Sequence, residues 1–415
     1  MDYKVKDIGL AEKGKLKIEW AEEHMPVLGK IRERFKREKP LQGLIVSMAL
    51  HVEPKTCVLA KTLRDGGSKV AITGCNPLTT QDDAASALAL EKDIHVFTWR
   101  GETKKEYYEN MDRVLDYKPN ITIDDGCDLI TVVHTERKGL LDGIIGGCEE
   151  TTTGVNRLKI MEKKGVLKYP VMDVNDSYTK YLFDNRYGTG QSVIDGILSA
   201  TNLIIAGKNF VVAGYGWCGR GVAMRAKGMG ANVIVSEVDE IRALEAVMDG
   251  FRVMPLSEAS KIGDMFVTTT GNKGVIRGEH IKNMKGGTII SNAGHFDNEI
   301  DKAYLEKFEK KEIRDNVDLF VMGGKKIYLL ADGRLVNLVA GQGHPAEIMD
   351  MSFANQALAS EYLVKNKGKL GPKVYKIPDV IDRDIAKLKL ESMNIKIDKL
   401  TQEQKEYLNE WKEGT

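Results

Sequence analysis

Short apolar runs alternate with longer amphipathic stretches through the first part of the chain. GLIVSMAL (43–50), KVAITG (69–74), IHVFTW (94–99) and ITIDDG (121–126) have the length of buried strands. TCVLAKTLRDGG (56–67), DDAASALAL (82–90) and YYENMDRVLD (107–116) lie between them and read as helices. Strand–helix alternation of this kind predicts a parallel, doubly wound sheet. The pattern begins again at FVVAGYG (210–216) and continues through NVIVSE (232–237), FRVM (251–254), MFVTTTG (265–271), TIISNAG (288–294) and KIYLLADGRLVNL (326–338). MDMSFANQALASEYLVKN (349–366) has apolar residues at i, i+3 and i+4 and reads as a helix packing back on the first unit.

The predicted fold class is α/β, with a Rossmann-type unit inserted in a doubly wound α/β unit and a short helical C-terminal segment. The expected boundaries are 1–190, 191–345, 346–385 as the return to the first unit, and 386–415 as a helical tail. Composition narrows the function classes. Lys+Arg number 61 against 60 Asp+Glu, a net charge of +1, which argues against a nucleic-acid surface. The N-terminal stretch is charged throughout, and no run reaches the roughly 18 apolar residues of a membrane span. A cytoplasmic enzyme with no membrane partner is expected. Cysteines 57, 75, 127, 148 and 218 are odd in number and form no C-x-x-C pair, so neither a disulfide framework nor a structural zinc is expected.

Chemistry concentrates after the strands. Gly214, Gly216 and Gly219 form G-x-G-x-x-G directly behind an apolar run and ahead of a helical stretch. Such glycines admit a pyrophosphate to the backbone at a helix N-terminus. A second strand ends in Glu237, where a carboxylate would grip a ribose diol and repel a 2′-phosphate, favouring NAD over NADP. The other polar residues at strand ends are His51, Asp124 and Asp125, Glu149 and Glu150, Thr151 to Thr153, Lys180, Asp184, Asn185, His295 and His344. Singly, each carboxylate reads equally well as a cap or turn residue. Each histidine reads equally well as a hydrogen-bonded structural residue. Their combination beside a nicotinamide site points to catalysis.

The segments TTQDDAA, DDGCDL, EETTTGV, VNDSYTKYLFDNRYG, VVAGYGWCGRG, VTTTGN, NAGHFDNEID, GRLVNL and GHPAEIMDMSFANQ occur in this order. In that order the chain resembles the S-adenosylhomocysteine hydrolases over nearly its whole length. The resemblance implies a homotetramer that acts on a small nucleosyl-homocysteine thioether. It implies a tightly held NAD that oxidises the ribose C3′, base removal of the C4′ hydrogen, loss of homocysteine from C5′, water addition, and return of the hydride. It places Lys180 and Asp184 at the 3′-hydroxyl, with Lys180 as the base for its proton once burial strips its charge. Glu150 would hold ribose hydroxyls, and Asp125 and His51 would serve the C4′ and C5′ protons. Asn185 and His295 would support nicotinamide and ribose. Thr151, Thr152, Thr153, Gly214, Gly216, Gly219, Glu237, Arg242, Asn272 and Asn337 would bind NAD.

Four positions depart from the family pattern. Thr189 stands where cysteine is common, and Arg242 where asparagine is common. The K-x-x-x-Y tail is absent, with Lys405 and Tyr407 as loose substitutes. The purine-reading H-x-T-x-E/Q has become His51-Val52-Glu53-Pro54-Lys55. Lys cannot accept a hydrogen bond and an ionised Glu cannot donate one, so both contacts are wrong for adenine. Hypoxanthine inverts the edge: Glu53 accepts from N1–H and Lys55 donates to O6. With His344 nearby, these residues predict S-inosylhomocysteine as substrate. The alternative is that Glu53 and Lys55 pair with each other, or that Glu53 caps the helix begun by Pro54; adenine is then read by backbone around His344, and the substrate is S-adenosylhomocysteine. A true amino- or hydroxy-acid dehydrogenase is the remote second reading, and a turnover-deficient sensor the non-enzymatic one.

Overall fold

The computed structural model describes residues 2–412. Six strands build the first sheet: β1 (Ile45–Ala49), β2 (Lys69–Thr73), β3 (Ile94–Phe97), β4 (Ile121–Asp124), β5 (Gly146–Glu149) and β6 (Val171–Asp173). The second sheet takes β7 (Asn209–Ala213), β8 (Asn232–Ser236), β9 (Arg252–Val253), β10 (Met265–Thr268), β11 (Thr288–Asn292), β12 (Glu309–Arg314), β13 (Val317–Met322) and β14 (Lys325–Leu330). β15 (Val374–Lys376) then returns to the first sheet and pairs in parallel with β6.

The first sheet runs 3-2-1-4-5-6-15 and the core of the second 9-8-7-10-11-14. Both orders reverse direction beside their first strand, between β1 and β4 and between β7 and β10. Open α/β sheets bind ligands at that reversal, outside the carboxyl ends of the strands. The β12–β13–β14 meander closes the second sheet with antiparallel pairs.

β5, β6, β12 and β15 carry too weak an apolar pattern to be seen in the sequence, and β13, VDLFVM, is an apolar strand the expected set left out. β5 begins with two glycines for a packing reason. A Cβ on Gly146 would stand 2.7 Å from Leu363 Cδ2, and one on Gly147 2.6 Å from Thr122 Oγ1. Leu363 belongs to the long helix Ala346–Lys365, whose Met351, Phe353, Ala354 and Ala357 join the core of the first sheet. Buried Asp350 fastens that helix by accepting from the backbone N–H groups of Val27 and Leu28 and from Lys389 Nζ.

The helix Asp379–Ser392 runs across the 385/386 boundary expected for the tail. The helix Gln402–Asn409 is exposed along its length. The expected tail extends to residue 415, and its last three positions lie outside the described residues. Among the described residues, no helix is long and apolar enough to cross a membrane.

Candidate functional site

The carboxyl ends of the two sheets share one cavity of about 990 Å³. From the first sheet it takes His51 and Glu53 beyond β1, Asp125 beyond β4, and Glu150 to Thr153 beyond β5. From the second it takes Gly214 and Gly216 beyond β7, Glu237 beyond β8, Asn272 beyond β10 and His295 beyond β11. Lys180, Asp184, Asn185, Thr189, Arg242, Asn337 and His344 complete the expected lining. Gly219 and Lys55 stand just behind that wall.

At the β7 turn, Gly214 has φ +104° and its N–H donates to Ser236 O. A Cβ on Gly219 would lie 2.0 Å from Gly214 O, so only glycine lets the helix Trp217–Gly228 meet the strand this closely. A Cβ on Gly216 would meet nothing nearer than Arg242 Nη1, at 3.8 Å, which leaves room for a ligand phosphate against the backbone. Half-buried Glu237 accepts from the N–H groups of Tyr215, Val238 and Asp239. These bonds hold its carboxylate at the end of β8. Asn337 Oδ1 is buried and lacks a hydrogen-bond partner among the described residues. An orphaned acceptor and an open glycine turn are what a nicotinamide dinucleotide requires, so the residues fit NAD.

Lys180 lies on the short helix Tyr178–Tyr181. The helix is anchored by buried Asp382, which accepts from the N–H groups of Tyr178 and Thr179. Lys180 Nζ donates to Asn185 Oδ1 at 2.8 Å and lies 3.5 Å from both Glu150 Oε1 and Asp184 Oδ2. Asp184 accepts from Ser352 Oγ at 2.6 Å and faces His344 Nδ1 at 2.9 Å. Glu150 Oε2 accepts from Gln356 Nε2 at 2.5 Å, while Oε1 has no hydrogen bond.

The electrostatics correct one expectation. Burial alone pulls the Lys180 ammonium down, but Asp184, Glu150 and Asp125 more than reverse this, and it is held above the ordinary lysine range. The expected desolvated, neutral lysine is therefore not found. Burial pushes Asp184 up, yet Lys180, His344 and Ser352 together hold it below the ordinary carboxylate range. Glu150 is pushed up to about 7 by burial, against the opposing pull of Lys180. The group near neutrality is thus Glu150.

A second carboxyl pair supports the floor of the site. Asp124 and Glu149 are register partners at the ends of β4 and β5. Burial pushes Asp124 up to about 8, and burial together with Asp124 pushes Glu149 well above the carboxylate range. Glu149 Oε1 accepts from Gly126 N and Thr151 N, which fixes the loops that carry Asp125 and the threonines. His51 Nε2 is 3.4 Å from Asp125 Oδ2, and His295 Nδ1 is 3.5 Å from Asp125 Oδ1. Burial lowers His51 to about 4, against the opposing Asp125.

Glu53 and Lys55 form a buried ion pair of 2.5 Å, and Glu53 also accepts from Lys55 N as the cap of the helix Pro54–Asp65. Lys55 Nζ donates to Gln342 O. The His344 segment reaches this corner through the carbonyl of Gln342, two residues before it. Its ring sits on Asp184 and Thr189 Oγ1, drawn there by the carboxylate.

Sequence reasoning missed Ser352, Gln356 and Asn175. Ser352 and Gln356 stand four residues apart, hence on one helix face, among apolar neighbours. That polar stripe in MDMSFANQ was the available signal. Asn175 Oδ1 accepts from Asn185 Nδ2 and Thr152 Oγ1, linking the Lys180 turn to the β5 loop.

A family model described as S-adenosyl-L-homocysteine hydrolase, NAD binding domain, matches residues 185–343, and one described as S-adenosyl-L-homocysteine hydrolase matches 2–142. The chain is 66% identical to the S-inosyl-L-homocysteine hydrolase of Methanocaldococcus jannaschii over 415 residues, covering 100% of both chains. It is 61% identical to the protein of that name from Methanococcus maripaludis, covering 99% of each chain. It is 62% identical to the adenosylhomocysteinase of Saccharolobus solfataricus, covering 100% of both.

Replacing Gly219 by Ala should cost about 1–3 kcal/mol through overpacking and strip the purified protein of nucleotide. Thermal unfolding and NAD release on denaturation measure the two effects. Full NAD content in G219A would show that the tight turn is dispensable.

Proposed function

The chain belongs to the S-adenosyl-L-homocysteine hydrolase family and is an NAD-dependent hydrolase, and from that premise we propose that it cleaves S-inosyl-L-homocysteine to inosine and L-homocysteine. Relatives bearing either the inosyl or the adenosyl name fall between 57 and 66% identity. Overall similarity therefore leaves the choice of purine to the pocket. The observation that carries the reading is the Glu53–Lys55 pair at the cavity end of β1. Glu53 lines the cavity as an acceptor for N1–H of hypoxanthine, and Lys55, directly behind it and paired with it, is the donor for O6. Pairing and capping, the alternatives to base reading, coexist with it: they hold the two groups in register. Adenine would leave two buried polar groups mismatched, at about 1–3 kcal/mol each.

When bound, NAD+ accepts a hydride from the ribose C3′ and returns it after cleavage. The protein's share is proton traffic. Lys180 acts as an ammonium that hydrogen-bonds the 3′-oxygen, and Asp184 fixes it. Glu150, with a free Oε1 and a pKa near neutrality, takes the 3′-hydroxyl proton. His51 and Asp125 flank the C4′ and C5′ positions, removing the first proton and supplying one to the departing sulfur. The segments 186–192 and 344–350 would serve as hinges between a cofactor unit, 191–345, and the bipartite substrate unit. Family membership supports a cytoplasmic homotetramer, to be tested by light scattering for a particle four times the 46.1 kDa chain.

Two experiments test the chemistry. Thiol release should be faster from S-inosylhomocysteine than from S-adenosylhomocysteine by roughly 10²- to 10⁴-fold, without net NADH. Joint replacement of Glu53 by Thr and Lys55 by Glu should move the preference toward the adenosyl compound, and unchanged selectivity would sink the pocket argument. An adenosyl preference in the unaltered protein would leave the family standing and favour the second name. Because Glu150 must be deprotonated to act, kcat/KM should rise with pH through about 7 and then level. Glu150→Gln should cost about 10²- to 10⁴-fold and flatten that limb. Lys180→Ala should abolish turnover, and a retained acidic limb in E150Q would move the base elsewhere.

A further inference from the structure

The two ring nitrogens of His51 do different things. Nδ1 is hydrogen-bonded to Thr79 Oγ1 at 2.8 Å, which leaves Nε2 to face the cavity beside Asp125 Oδ2, 3.4 Å away. Thr79 therefore decides which nitrogen the ribose meets and where it points. The threonine belongs to the turn 76–80 behind β2. Its hydroxyl also donates to Asn76 O at 3.2 Å, and Asn76 Oδ1 accepts from Leu78 N at 3.0 Å. Gly101 N donates to Pro77 O at 2.8 Å and Thr80 Oγ1 is 2.7 Å from Thr98 Oγ1, so the turn is tied to the loop behind β3.

The same turn and loop meet the second unit. Leu78 packs against the core of the second sheet. Arg100, whose backbone N–H donates to Asp82 Oδ1, sends Nη2 to Val339 O at 2.9 Å and to Asn316 Oδ1 at 3.2 Å. Parting the two units would break these contacts and free the turn that holds His51. Thr79, Leu78 and Arg100 stand outside the cavity wall, so their influence on the reaction passes through the histidine. Asp184 and Glu150, which hold Lys180, are braced from elsewhere by Ser352, His344 and Gln356 and do not depend on the turn.

We propose that the turn 76–80 is a docking relay and that Thr79 is a positioning residue. Contact of the second unit with Leu78 and Arg100 seats the turn, and Thr79 then aims His51 Nε2 at the ribose. Proton transfer at C4′ and C5′ is thereby confined to the docked molecule, which excludes bulk water from the reacting ribose. Oxidation at C3′ needs no such signal, because the residues that serve it are supported separately. The chemical consequence rests on the hydrolase reading, whereas the coupling of Arg100 to the turn does not.

The test is rapid mixing of the NAD-loaded protein with S-inosylhomocysteine and S-adenosylhomocysteine in parallel. Bound NADH is followed by its near-ultraviolet absorbance, and thiol release is followed separately. Thr79→Val should form NADH at the unaltered rate but release thiol about 10²-fold more slowly, so that NADH accumulates. Thr79→Ser, which keeps the hydroxyl, should restore thiol release. Leu78→Ala and Arg100→Ala should show the same split, and their effects should combine with T79V less than multiplicatively, since all three act on one ring. R100A should also speed amide hydrogen exchange across 76–80 in the NAD-loaded protein without substrate. A T79V protein that loses both steps in equal measure, or keeps both, overturns the relay, as does unchanged exchange across 76–80 in R100A. Failure of the unaltered protein to form NADH or thiol from either compound would sink the hydrolase reading and leave the exchange measurement to decide the coupling.

Discussion

A buried ammonium must be surrounded by carboxylates, and the one on Lys180 organises the molecule around it. An unpaired charge in the interior costs several kcal/mol even after relaxation. Lys180 is 4% exposed and has Asp184 and Glu150 beside it. Neither carboxylate is left to itself. Ser352 and His344 hold Asp184, and Gln356 holds Glu150. All three supports come from the stretch that re-enters the first sheet after the second is complete. The return of the chain is therefore part of the active site, and the discontinuous architecture has an electrostatic reason. The same network pushes Glu150 up to about 7 and holds the Lys180 ammonium above the ordinary lysine range.

Two parallel sheets, each with its reversal beside its first strand, face one cavity with their carboxyl ends. The first contributes His51, Glu53, Asp125 and Glu150, and the second contributes the glycine turn and Glu237. Backbone proximity is the second constraint. Gly219 against Gly214 O, and Gly221 with a virtual Cβ 1.8 Å from Arg186 O, pack the nucleotide-binding helix onto the strand and onto the turn that carries Asp184. Cofactor contact and substrate contact are thereby built into one short span of chain.

The proposed purine corner rests on two side chains. Glu53 and Lys55 satisfy each other in a pair that still offers one acceptor and one donor to a ring edge. Such a pair resists a mismatched base because a wrong edge leaves buried charge unpaired, the costliest kind of polar error. Helix capping by Glu53 adds rigidity.

The alternation of apolar runs determined the α/β class, and the glycine spacing with Glu237 pointed to the dinucleotide. His51, Asp125, Glu150, Glu237 and His295 were nameable because ligand sites in open sheets lie just past strand ends, a rule that works on linear sequence. The Gly-Gly strand β5, the three-residue β6 and β15, and the wholly exposed β12 were illegible, since none carries an apolar run of its own long enough to mark a strand. Ser352 and Gln356 were likewise hidden in a helix far along the chain. The sequence alone suggested that burial would neutralise Lys180, and the tertiary structure reversed this, because Glu150 and Asp125, distant in sequence, converge on it beside its near neighbour Asp184. It also brought Thr79 against His51. Residue types and local spacing are carried by the chain, whereas the charge state of a group depends on what surrounds it in space, and only folding decides that.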